Sequence, residues 1–162
     1  MGLLIDRIRE ITGLVKVASR LYVTPWIDIP GIAAADAFDA NDAVGNVFEI
    51  PVPKFGIIRE FKLLDPSDVT LALTAHIFDR RFTGAASDAA FTIGTSDARA
   101  WVTSATFNAP VDLGGIKVAE VVGTSYYLAP SGVLYCQCST TGTPTITAGY
   151  APAIQLCIEL GV

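Results

Sequence analysis

The chain has 162 residues, enough for one domain with a single sizeable core that stands without disulfides or metals. Hydrophobic residues make up 51% and charged residues 17%, and mean hydropathy is +0.48, so much of the surface is expected to be uncharged and covered by neighbours. The net charge of −5 is uneven, +2 through Arg20 and −7 beyond it, and a body this acidic repels phosphate backbones, which argues against general nucleic-acid binding.

The first segment, residues 2–19, reads as an amphipathic helix, since Leu4, Ile8, Ile11 and Val15 recur at spacings of four, three and four. From Leu14 onward Val15, Val17, Leu21 and Val23 also alternate, so the arm is expected to be part helix and part strand. Asp6, Arg7, Arg9 and Glu10 fall where the apolar stretch of a secretory signal would lie. Charges interrupt every apolar run short of the roughly 18 residues a membrane span needs, so no membrane partner is expected. Pro25 and Pro30 mark a linker, giving an arm and linker over 1–30 and a body over 31–162.

At the start of the body Asp36, Asp39 and Asp42 recur every third residue, without the alternate ligands, glycine and terminal glutamate of an EF-hand loop. Asx-type turns are expected there. Strands are predicted over 44–52 and 56–64, with a turn at 65–68. Val69, Leu71, Leu73, Ala75 and Ile77 then form the cleanest period-two stripe in the chain, and that strand should be central. Residues 79–97, rich in Ala, Gly, Asp, Ser and Thr, read as a long loop with room for one short strand. Further strands are predicted over 101–107, 116–122, 133–139 and 154–160. The fold class is therefore all-β, a single sandwich or jelly roll of about eight strands with a partly helical N-terminal arm.

The residues that carry chemistry are few. His76 is the single histidine, which excludes metal sites built on two or three, and a serine or cysteine nucleophile finds a base only through it. Cys136, Cys138 and Cys157 cannot all pair within one chain, and the first two share one side of a strand without the Cys-x-x-Cys spacing of zinc knuckles, so reduced thiols are expected. Neither a Gly-x-Ser-x-Gly elbow nor a phosphate-cradling loop is present, so no catalytic residue, metal or cofactor is assigned, and the chain is read as no enzyme. Trp26, Trp101, Tyr126 and Tyr127 offer stacking surface to a protein or a sugar; Trp26, Tyr126 and Tyr127 are the candidate interface aromatics.

Several passages carry a resemblance. Asn41-Asp42-Ala43-Val44-Gly45 leads one strand, Lys54-Phe55-Gly56-Ile57-Ile58 opens the next and Ile77-Phe78-Asp79 ends a third. Asp88-Ala89-Ala90-Phe91 and Asp97 follow in the long loop, then Val133-Leu134-Tyr135 and Thr145-Ile146-Thr147-Ala148. Together, from roughly Ala40 to Leu160, they resemble virion structural proteins of tailed bacteriophages. The resemblance implies a jelly-roll-like decoration or cement subunit, often a homotrimer, assembled in the host cytoplasm and sitting on the capsid surface. Its partners would be the major capsid protein or other virion subunits. The arm residues Leu4, Ile8, Ile11 and Val15 lie outside the resembling region and are the candidate partner-binding arm. The alternative is a receptor- or carbohydrate-binding module of a tail or head fibre, using Tyr126, Tyr127 and the 79–97 loop.

Overall fold

The computed structural model describes residues 20–32, 37–66, 71–108, 110–146 and 149–160. The arm residues Leu4, Ile8, Ile11 and Val15 lie outside the described residues, as do Asp36 and Val69.

Among the described residues ten strands follow one another: β1 (Arg20–Val23), β2 (Ile27–Asp28), β3 (Ala43–Pro51), β4 (Phe55–Asp65), β5 (Leu73–Phe78), β6 (Trp101–Phe107), β7 (Val111–Asp112), β8 (Lys117–Leu128), β9 (Val133–Thr140) and β10 (Ala153–Leu160). One 3₁₀ turn, Asp97–Ala100, precedes β6 and is the only helical element among the described residues. The first sheet runs β1-β10-β4-β8, extended by β7 beyond β8 and by β2 on β10; the second runs β3-β9-β5-β6. Every pairing is antiparallel. With the two-residue strands set aside and the eight long ones renumbered in chain order, the sheets read 1-8-3-6 and 2-7-4-5. That is the paired Greek-key order of a jelly roll, the all-β sandwich that the strand pattern predicts.

Alternation decides which side chains fill the space between the sheets. On β5 Leu73, Ala75 and Ile77 are buried while Thr74 and His76 point outward, and the strand is interior to its sheet as its stripe predicts. On β4 the buried apolar side chains are Ile58, Phe61 and Leu63. The step of three from Ile58 to Phe61 is a bulge at Arg59, the extra residue that β4 carries where Ile58 and Glu60 pair with the consecutive Ile158 and Cys157 of β10, and it explains why the apolar pattern of that strand alternates imperfectly. Phe61 faces Leu156 of β10 and Val121 of β8 across the ladders, tying three strands into one core.

Glycine is required at one bend. The β3 register breaks between Val44 and Phe48, and Gly45 there has φ +67°. A side chain at Gly45 would run into the Pro30 carbonyl and Ile29, which pack close because Asn46 N–H donates to that carbonyl at 2.7 Å. In place of the expected Asx turn, Asp42 Oδ2 just before it accepts from Asp39 N–H at 2.8 Å, three residues back along the chain and not two residues on.

Other strands differ from expectation. β2 lies inside the stretch read as linker, yet it pairs with β10, as does β1, where Leu21 and Val23 alternate as expected, because Pro25 and Pro30 fall in the connections beside them and remove no ladder donor. β8 continues six residues past its expected end at Val122, through a Gly-Thr-Ser passage that pairs opposite the β4 bulge.

Candidate functional site

The two outer faces of the sandwich differ. The second sheet is roofed by the long loop after β5. Phe91 stacks on His76 with ring centroids 4.3 Å apart, and Phe82 packs on Phe78 at 3.9 Å. Along the free edge of β3, Ala43 N–H donates to Ala89 O at 2.8 Å and Asp88 N–H donates to Ala43 O at 2.9 Å, so the loop also satisfies that edge. Gln137, outward on β9, is fully buried beneath the loop. Its Nε2 donates to Ala85 O at 2.7 Å and to Gly45 O at 3.0 Å, while its Oε1 accepts from Ala85 N–H at 3.1 Å.

Under the same roof His76 Nε2 lies 3.0 Å from Ser139 Oγ, the contact that a hydroxyl nucleophile and its base would make. Ser139 is only 3% exposed and Phe91 covers the ring, so a substrate carbonyl has no approach. Burial also pushes the imidazole pKa down to about 4, which leaves a weak base. The pair is a structural contact in the closed loop.

That histidine makes stability depend on pH. Above pH 6.5 the ring is neutral whether the chain is folded or not; between 6.5 and about 4 the unfolded chain takes a proton that the folded one refuses. Stability is therefore present above the unfolded value and lost as the pH falls toward the folded one, by roughly 2 kcal/mol after allowing for the part of the ring that meets water. Urea unfolding at successive pH values should show this loss in the native protein and a shallower slope in His76→Asn.

Among the described residues nothing roofs the outer face of the first sheet. Reading across it, Leu21, Glu159, Ile57 and Tyr126 form one row over β1, β10, β4 and β8, and Phe55 opposes Leu128 at the end beside it. Phe55 is 57% exposed, Leu128 64% and Tyr126 76%. Further along, Val23, Cys157, Glu60 and Val122 make a second row, with Val122 at 84%. Ion pairs are set into this surface. The Arg59 guanidinium bonds the Glu159 carboxylate, and Lys62 Nζ bonds Glu120 Oε1 at 2.9 Å and lies 3.7 Å from Glu60. The Glu120 contact raises the Lys62 pKa and lowers that of Glu120. These pairs are too exposed to contribute much stability, but they leave the face nearly neutral.

At the far end of β8 a hairpin, 111–117, projects Leu113 and Ile116 into solvent. Asp112 Oδ1 accepts from Gly114 N–H at 2.7 Å and also from Gly115, which shapes the tip and lowers the Asp112 pKa. A shallow open cleft lined by Val111, Val118, Ala119 and Glu120 lies beside it and holds no nucleophile or histidine.

The sequence-derived aromatics divide. Tyr126 stands on the bare face, while Tyr127, next to it on a strand, points inward and is 6% exposed; burial pushes its phenol up to about 12. Only Tyr126 of that pair offers surface to a partner. Trp26 is 40% exposed in the link between β1 and β2. Phe55, Leu128 and Val122 were not singled out from the sequence; Leu128 and Val122 fall at even spacings from Tyr126 once β8 is extended to Leu128, and Phe55 is the β4 partner of Leu128. Cys136 and Cys138 are buried free thiols in the core, where burial pushes the Cys136 thiol up; Cys157 is free and partly exposed.

Among the described residues no cluster of three His, Cys, Asp or Glu side chains is placed to hold a metal ion, and no helix is long and apolar enough to cross a membrane. No protein-family model matches the chain, and no curated protein matches it. Among solved structures it aligns weakly with one of infectious bursal disease virus Gt strain, at 12% identity and a TM-score of 0.21, over 89% of this chain and 42% of that one. The chain thus spans under half the length of that structure, and a likeness at this level is uninformative about fold or function.

Proposed function

We propose that the protein is a structural subunit of a virion surface, a decoration or cement protein that works by association and performs no reaction. The observation that carries the reading is the bare outer face of the first sheet, where Leu21, Phe55, Val122, Tyr126 and Leu128 are each more than half exposed. An apolar surface of this extent marks an interaction site, because leaving it in water costs free energy that a partner recovers. The jelly roll supports the particle as the setting, being an architecture that capsid proteins share with lectins and cupins, and so does the resemblance to phage virion proteins. The loop-covered His76 and Ser139 weigh against catalysis at the place, among the described residues, where a hydroxyl meets the histidine base.

Attachment at many equivalent sites makes a weak single contact sufficient for a stable coat. The test is co-sedimentation of the full chain with capsids of a source phage assembled without it. Saturable binding at a fixed number of copies per capsid is expected, whereas no binding above a serum albumin control overturns the proposal.

A further inference from the structure

We infer that the outer face of the first sheet is a self-association surface, covered face to face by the same sheet of a second copy of this chain. The inference rests on the association reading above and names the surface and the occupant.

Three observations on that face select a second copy. The first is area. At about 200 Å² for an aromatic and about 150 Å² for an aliphatic side chain, the exposed fractions of Leu21, Val23, Phe55, Val122, Tyr126 and Leu128 amount to roughly 600–700 Å². Ile57 and the stems of Arg59 and Lys62 add to this, bringing it close to the ~800 Å² per partner of a stable interface. The second is charge. The face carries Arg59 and Lys62 against Glu60, Glu120 and Glu159, with the pairs already made within one copy, so an identical face meets it without strong repulsion and without stranding a charge. A strongly basic or acidic partner would find no complementary field there.

The third is layout. The large apolar groups gather at one end, around Phe55, Ile57, Tyr126 and Leu128, and the Lys62–Glu120 pair lies at the other. A two-fold axis through the apolar end places aromatic and leucine side chains at the centre of the contact, covers the Arg59–Glu159 pair of the same row as a pair already made, and sends the two Lys62–Glu120 ends outward into water. That is the apolar core and polar rim of a specific interface. The contact is isologous, each copy offering the same patch, and two sheets meeting this way pack as the layers of a sandwich do.

The full chain is examined by sedimentation velocity over a concentration series, alongside Leu128→Asp, Tyr126→Ser and, as a control on the distant hairpin, Leu113→Asp. All three sites are exposed, so each variant should keep the native melting curve at low concentration, and a variant that does not is replaced by Phe55→Ser. The native chain and Leu113→Asp are expected to be dimers. Leu128→Asp should weaken the dimer about 100-fold or more, with Tyr126→Ser intermediate. Cys157, on the same face, reports independently: its reaction with a maleimide should slow as the native chain is concentrated and should be concentration-independent in Leu128→Asp.

A native monomer overturns the inference, as does a dimer indifferent to Leu128→Asp. A trimer also overturns it, because three copies cannot each bury this patch against itself. A monomer whose Cys157 becomes reactive only after residues 1–19 are removed would assign the face to the chain's own N-terminal segment instead. Capsid binding by a monomeric chain would refute this inference and leave the proposed function standing; a dimer that ignores capsids would do the reverse.

Discussion

Replacing Gln137 with leucine should lower the melting temperature by about 6–12 °C, a loss near 3 kcal/mol for a domain of this size. Leucine fills nearly the same volume, so the loss is not one of packing. It comes from leaving Gly45 O, Ala85 O and Ala85 N–H without the side-chain partners they have under the loop. Buried backbone groups deprived of a partner cost about 1–3 kcal/mol each, and partial opening of the loop to water recovers some of that. The opening itself is measurable: amide exchange at Ala89 and Phe91, whose N–H groups bind Ala86 O and Asn41 O, should accelerate in Gln137→Leu more than exchange within β10. Equal acceleration throughout would mean that the loop is not a separate unit.

Phe61→Ala should cost about 3–5 kcal/mol, the usual range for removing a fully buried ring. Phe61 is 1% exposed and lies between Leu156 and Val121, so the cavity left behind touches three strands and cannot close by moving one of them. Tyr126→Ala, on the other side of the same sheet, should change the stability of the dissociated chain by no more than about 0.5 kcal/mol. The contrast carries the functional argument. Both positions are aromatic residues on neighbouring strands, yet only the inward one contributes to folding, so the outward one is left for association. Urea titrations of the two variants at low protein concentration check both figures.

Much of the sandwich is legible in the sequence because alternation is a local property. Leu73, Ala75 and Ile77 declare a half-covered strand, and β6, β9 and β10 begin and end within a residue of where their turn residues place them. Features set by pairing are not legible in this way. The bulge at Arg59 breaks the alternation of β4, and the matching Gly123, Thr124 and Ser125 hide the second half of β8, which is why Tyr126 and Tyr127 read as a pair when the strand turns them to opposite faces. Gln137 and His76 look like ordinary polar-face residues. Only the fold shows that a loop whose Ala85 lies 52 residues away in sequence covers the first, and that Phe91 covers the second. The same loop explains why one outer face is bare and the other is not, a difference that no count of hydrophobic residues reveals.

An image reconstruction of the source particle tests the central claim most directly. The expected result is a jelly roll bound at regular sites on the outer shell, with Phe55, Tyr126 and Leu128 buried against protein. A particle whose shell carries no such density, with this chain recovered only in the soluble fraction, would contradict it.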